Sequence, residues 1–187
     1  MRDDITYQVT TAPVTEPVTT AEAKLYLRVD FSDDDTLIAT LITAARQRAE
    51  DSAGRAFISQ TIAAWLDYWP DDGVIRIKRG PVATVTSVAY YTSNNVLTTV
   101  SASNYVLIAQ PQPARITLAY GQSWPTDLRS EAAIKITYTA GAATADARYK
   151  DLILAMVANM YEARDGATFE QTEQMKRIEW ALRMDAY

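Results

Sequence analysis

The sequence predicts an α+β fold: a helical body formed by N- and C-terminal helices, with a small antiparallel β subdomain inserted between them. Three observations carry this reading. Apolar residues recur at helical spacing before Gly54, alternate with period two from Gln60 to Thr139, and return to helical spacing beyond Ala140-Gly141. The strand Ile134-Lys135-Ile136-Thr137-Tyr138-Thr139 gives way to a helix carrying Leu152, Ile153, Leu154, Met156, Val157, Met160 and Tyr161, apolar over more than half of its circumference. Residues 170–187 then form a second helical pattern, so helices at both ends of the chain bracket the strands. The corresponding divisions are 1–59 (arm and first helices), 60–140 (β subdomain) and 141–187 (last helices).

Residues 5–18 alternate partly and contain Pro13 and Pro17, which favours an extended arm or an edge strand. Such an arm lies either on a neighbour or back on its own domain. Thr19-Thr20-Ala21-Glu22 matches a capping box, in which the Thr19 hydroxyl and the Glu22 carboxylate satisfy the first free amides of a short helix running to about Leu27. Leu25 and Tyr26 are expected to point to the core. Ser32-Asp33-Asp34-Asp35 opens a second helix, with carboxylates at the positive end of its dipole. Leu37, Ile38, Leu41, Ile42, Ala45 and Ala49 fall on one stripe, Arg46 and Glu50 are placed mostly elsewhere, and Gly54 ends the helix. The aspartate run reads as capping rather than as a metal site, because consecutive residues point in different directions and no Gly-containing calcium loop follows.

From Gln60 the pattern becomes β. Residues 61–69 read as a strand, Pro70-Asp71-Asp72-Gly73 as a turn and residues 74–78 as its returning partner. Further strands are expected at 82–91, 96–100, 105–109, 115–119 and 134–139, a spacing that indicates a small sandwich or barrel-like subdomain. The helix after Gly141 is expected to close at Arg164-Asp165-Gly166, with a cation and a glycine suited to a left-handed cap. Its apolar excess calls for cover on more than one side, from other helices of the chain or from a neighbouring subunit. In the last helix Met175, Ile178 and Leu182 lie near one face, with Trp180 and Met184 on another.

A chain of 187 residues can build one substantial core, or a compact body with an inserted subdomain. With 48% hydrophobic and 22% charged residues it has the composition of a folded protein. Met1-Arg2-Asp3-Asp4 lacks the basic-then-apolar start of a signal peptide, and no apolar run is long enough to span a bilayer, so neither export by that route nor membrane insertion is expected. The absence of cysteine and histidine removes disulfides, thiol chemistry, the usual zinc sites and histidine acid–base catalysis. Serines, carboxylates and lysines remain, but no spacing selects a catalytic pair, and no cofactor is expected. The net charge of −5, without a basic patch, argues against tight general binding of nucleic acid. Arg76, Lys78 and Arg79 form the only local basic run and are expected to face water.

Several blocks together resemble the head-tail connector, or adaptor, proteins of long-tailed bacteriophages and gene transfer agents. They are Glu16-Pro17-Val18-Thr19, Ala21-Glu22-Ala23-Lys24, Leu27-Arg28-Val29-Asp30, Asp33-Asp34-Asp35 with Leu37-Ile38, Ala44-Ala45-Arg46, Gly54-Arg55-Ala56 and Ser59-Gln60-Thr61. Gly80-Pro81-Val82, Val85-Thr86-Ser87-Val88, Ser123-Trp124-Pro125, Ile136-Thr137-Tyr138-Thr139-Ala140-Gly141 and residues 158–164 continue the series in order, whereas the final 20 residues match no family motif. The resemblance implies a non-catalytic structural protein of the virion neck, assembled in the bacterial host cytoplasm. It implies a homo-oligomeric ring of about twelve copies beneath the portal, each subunit presenting two different faces to its neighbours. A stopper or tail-completion protein would lie on the tail side, and genomic DNA would pass through the channel without sequence-specific binding.

On this reading Met175, Ile178, Trp180 and Leu182 are candidates for contact with the portal protein, as an amphipathic terminal helix laid in a groove. The alternative is that this helix packs on its own bundle. Leu152, Met156, Met160 and Tyr161 are candidates for the ring interface. Trp65, Tyr68, Trp69, Tyr90, Tyr91 and Tyr105 read either as sheet-core and cross-strand residues, the favoured assignment, or as a stacking surface for sugars or single strands. The second belongs to an alternative function, a carbohydrate-binding or other accessory β module of a phage tail.

Overall fold

A computed structural model describes residues 5–163 and 172–184. The elements in chain order are β1 (Thr6–Thr11), α1 (Thr20–Leu27), α2 (Asp35–Ala53), β2 (Gln60–Leu66), β3 (Ile75–Ile77), β4 (Val82–Tyr91), β5 (Leu97–Thr99), a 3-10 turn (Ala102–Asn104), β6 (Tyr105–Ile108), β7 (Ala114–Leu118), β8 (Ile134–Ala140), α3 (Ala147–Glu162) and α4 (Glu173–Met184). The fold class is α+β, as the periodicities require. The chain divides into a β unit, residues 1–13 and 59–141, and a helical unit, residues 14–58 and 142–187.

In the β unit, five strands form an antiparallel sheet in the order β1-β2-β8-β4-β5, and three form another in the order β3-β7-β6. The N-terminal arm is an edge strand, Thr6 opposite Trp65 and Val9 opposite Ile62, so it sits with the strands rather than with the helices that follow it. Its uncharged Thr- and Val-containing sequence suits a strand exposed on one side. One sequence expectation changes here. Residues 74–78 do not return along β2; Ile75 and Ile77 pair with Ile116 and Ala114 of β7 in the second sheet. The last strand, β8, lies between β2 and β4, burying Ile134, Ile136, Tyr138 and Ala140. A central strand flanked on both sides accounts for that unbroken alternation of buried and half-buried positions.

The loops of this unit are held by aromatic packing. Trp69 and Trp124 stack at 4.3 Å, and their indole N–H groups donate to the carbonyls of Pro125 and Gly73 at 2.8 and 3.0 Å. Gly73 takes φ +71, a left-handed conformation in the turn after Pro70. The guanidinium of Arg129 lies 3.7 Å from the centre of the Tyr91 ring and donates to Asn95 Oδ1 and to the carbonyls of Glu131 and Ala132.

The helical unit is organised on the pair α2 and α3. Ile38, Ile42, Ala45 and Ala49 of α2 meet Leu152, Ile153, Met156 and Val157 of α3 in one core, which Met175 and Leu182 of α4 complete. Helices α1 and α4 each pack on both α2 and α3 and make little contact with each other. Phe57 stacks on Tyr149 with ring centres 4.0 Å apart. The expected closure of α3 at Arg164-Asp165-Gly166 lies outside the described residues. Helical structure extends to Glu162, and the Ala163 N–H donates to the Asn159 carbonyl. Among the described residues no helix is long and apolar enough to cross a membrane.

Candidate assembly surfaces of the helical unit

The apolar excess of α3 is largely absorbed inside its own unit. Leu152 and Met156, expected at a ring interface, are fully buried between α3 and its neighbouring helices, while Met160 and Tyr161 are half-buried against the same core. Of the two covers the sequence allowed, other helices of the chain or a neighbouring subunit, α1, α2 and α4 supply the first. The four candidates on α4 separate in the same way. Met175 and Leu182 are buried in their own core, Ile178 is half-buried, and Trp180 alone of the four is open, at 65% exposure. Helix α4 is therefore amphipathic toward its own bundle, and among its described side chains Glu173, Lys176, Arg177, Trp180 and Ala181 are exposed.

The larger open surface lies where the sequence placed core residues. Leu25 is 82% exposed and Tyr26 53% exposed, and Phe31 and Leu37 are exposed as well. The physical reason is geometric. In an eight-residue helix, consecutive Leu25, Tyr26 and Leu27 cannot share one face, and Ala23 and Leu27 take the inward side. Three adjacent apolar positions in so short a helix were the available signal for this surface.

A set of polar contacts fixes this corner. The Thr19–Glu22 capping box is present, with the Thr19 N–H donating to Glu22 Oε2 at 2.8 Å and the Glu22 N–H to Thr19 Oγ1 at 3.1 Å. Glu22 also accepts from Lys150 of α3 at 2.8 Å, and these bonds hold its carboxyl well below the usual range, at about 2. Lys24 reaches Asp35 at 2.6 Å, tying α1 to the first turn of α2. The Tyr161 hydroxyl donates to Asp34, tying α3 to the same turn. Asp34 thus occupies the N-cap position of α2 without capping it through its side chain, a departure from the role its sequence suggests. Arg28 ends α1 in the left-handed region, its N–H donating to the carbonyls of Leu25 and Lys24.

Further along α2, Arg46 and Glu50 are buried rather than set on the outer face. Arg46 donates to Glu50 at 2.8 Å and to Glu16 at 2.7 Å, and Glu50 accepts the Phe57 N–H at 2.7 Å. Thr43 adds a bond to Glu16. The mutual bonds of the guanidinium and the two carboxylates, with the Thr43 hydroxyl and the Phe57 N–H, satisfy what burial would otherwise leave unmatched. A charged pair at i, i+4 interrupting an apolar stripe was the legible sign of such a cluster.

In the β unit Trp65, Trp69, Tyr91 and Tyr105 are half-buried and stack on other rings, Tyr90 is half-buried, and Tyr68 is exposed rather than packed in the sheet. Trp65 stacks near Tyr91, Lys135 lies over the Trp65 ring at 5.2 Å, and Tyr105 lies beside Trp124. Arg76 is bound to Asp72 at 2.6 Å, and the backbone around Lys78 and Arg79 is held by Tyr7 and Tyr138: the Lys78 N–H donates to the Tyr7 oxygen, and the Tyr138 hydroxyl donates to the Arg79 carbonyl. Burial pushes both phenols up. Among the described residues no cluster of histidine, cysteine, aspartate and glutamate could hold a metal ion.

The helical unit presents apolar side chains outward on a frame braced by ion pairs. Residues 18–112 match the model of the phage gp6-like head-tail connector protein family, and the chain belongs to that family. The fold is shared with solved chains. A chain in the neck of an empty gene transfer agent particle, determined with C6 symmetry, superposes with a TM-score of 0.79 at 23% identity, covering 95% of each chain. A chain in the virion of a native gene transfer agent particle gives 0.78 at 21% identity, covering 95% of this chain and 94% of that one. A chain in the native neck determined with C12 symmetry gives 0.70 at 21% identity, covering 93% and 94%. No curated protein matches the sequence.

Proposed function

We propose that this protein is the neck connector of a tailed phage or gene transfer agent particle, forming a ring of about twelve copies that joins the portal vertex to the tail and through which the genome passes. The match of residues 18–112 to the head-tail connector family carries the reading. The likeness over 95% of the chain to a chain in a gene transfer agent neck supports it. The portal lies on one side of the ring and a stopper or tail-completion protein on the other. Its role is mechanical and non-catalytic. With a net charge of −5 and no basic patch, the subunit suits a conduit that does not grip a polyanion.

Mixing the purified protein with its cognate portal and imaging the complex tests this directly. A ring stacked on the portal, coaxial with its channel, is the expected result. Deleting the gene should leave DNA-filled heads without tails. A protein that stays off the portal while deletion mutants still join heads to tails would overturn the proposal.

A further inference from the structure

We infer that two flanks of the helical unit are the two halves of one contact between neighbouring copies: the α1–α2 corner of one subunit receives the outer face of α4 from the next. The inference rests on the ring reading and specifies which surfaces close the ring.

Four observations lead to it. Both flanks carry open apolar surface, Leu25, Tyr26, Phe31 and Leu37 on the corner and Trp180 on α4. The corner gathers four such side chains within one short stretch of chain, and Trp180 is of the residue type favoured as an interface anchor. The two flanks are separate patches, since α1 and α4 each pack on the α2–α3 pair and make little contact with each other. A repeated contact between two different patches of a subunit is what a head-to-tail ring requires.

Charge gives the pairing its direction. Asp30 and Asp33 outnumber Arg28 among the exposed charges of the corner. On α4, Arg177 stands one turn from Trp180 on the exposed side, and the nearby Lys176 is engaged by Glu173 at 2.8 Å. A tryptophan beside a cation thus meets an apolar corner rimmed by carboxylates, a combination favoured at the centres of protein contacts. The corner is already ordered, through Lys24–Asp35, Glu22–Lys150 and Tyr161–Asp34, so little flexibility is lost when it is filled. The occupant is a second copy of this chain; a portal surface on Trp180 is the competing outcome.

Because the chain has no cysteine, single cysteines can be placed without background. Asp30→Cys protein mixed with Ala181→Cys protein, each alone and with portal, should give a disulfide-linked pair joining the two variants. Asp30→Cys mixed with Thr86→Cys, placed on a β strand, should not. Trp180→Ala should weaken ring assembly about tenfold or more by native mass measurement of the assembled species. Arg177→Glu should weaken it too, and Arg177→Glu combined with Asp33→Arg should recover part of the loss. All these positions are exposed, and unchanged circular dichroism and melting verify that each variant is folded.

If rings form normally with Trp180→Ala and Arg177→Glu and no cross-link appears, the inference falls while the ring reading stands. The same division follows if Trp180→Ala abolishes portal binding yet leaves copy-to-copy assembly intact. If the unmodified protein forms no ring with or without portal, the ring reading falls, and the inference falls with it.

Discussion

Arg46 holds Glu16, a residue 30 positions earlier, through two nitrogens at 2.7 and 3.3 Å, and so pins the segment entering the helical unit to the middle of α2. The same guanidinium binds Glu50, whose other oxygen receives the Phe57 N–H where the chain leaves that unit. One buried cation therefore fixes an entry and an exit.

Replacing Arg46 by Met should be among the most damaging single changes. It leaves Glu50, 1% exposed, without its cation, and the loss of one partner of a buried pair costs about 3–5 kcal/mol. Chemical denaturation of Arg46→Met is the measurement, with Arg48→Met, on an exposed position of the same helix, expected to change little.

Glu22 predicts an acid-dependent loss of stability. Its carboxyl sits near 2 in the folded protein against an ordinary 4.5, chiefly through Lys150 and then the Thr19 amide and hydroxyl. Because the folded value is depressed, the stabilisation is present above about 4.5 and is lost as the pH falls toward about 2. Urea midpoints measured across that window should fall more steeply for the natural protein than for Glu22→Gln. Parallel curves would show that the carboxyl contributes nothing.

Trp124 is 8% exposed, stacked on Trp69 and bonded to Gly73. Trp124→Ala should destabilise the β unit by about 3–5 kcal/mol through lost burial and cavity formation. Trp69→Phe, which keeps a ring but loses the bond to Pro125, should cost about 1 kcal/mol. Near-UV circular dichroism and unfolding midpoints distinguish the two.

Gly54 ends α2 at φ +66, with its N–H donating to Asp51 and Glu50 carbonyls and open space where a Cβ would stand. Gly54→Ala should therefore meet only the conformational penalty of the left-handed region, about 1 kcal/mol, and Gly54→Asn should cost less. Thermal unfolding resolves the difference.

Period and punctuation made much of this architecture legible. The capping box at Thr19 and Glu22 and the alternation from Ile134 to Ala140 each express a local rule that held, and of the stripe on α2 all but the exposed Leu37 turn inward. Pairing partners were less accessible. Nothing near Ile75 states that it will bond with Ile116 rather than run back along β2, because strand choice depends on residues 41 positions away. The surfaces were harder still: Leu152 and Leu25 are both leucines in helices, and only the assembled bundle decides that the first is enclosed and the second open. The i, i+4 spacing of Arg46 and Glu50 was a local sign of their pairing, but nothing in it names Glu16, 30 positions earlier.

The central position of β8 bears on how the protein is made. Both β2 and β4 bond to a strand that leaves the ribosome after most of the β unit has already been synthesised. Until residue 140 emerges, the five-stranded sheet has no middle, and the edges of β2 and β4 that β8 will occupy remain open to other chains. Nascent chains halted before residue 134 should therefore be sensitive to protease within that sheet, and those extended beyond it should acquire resistance in a single step.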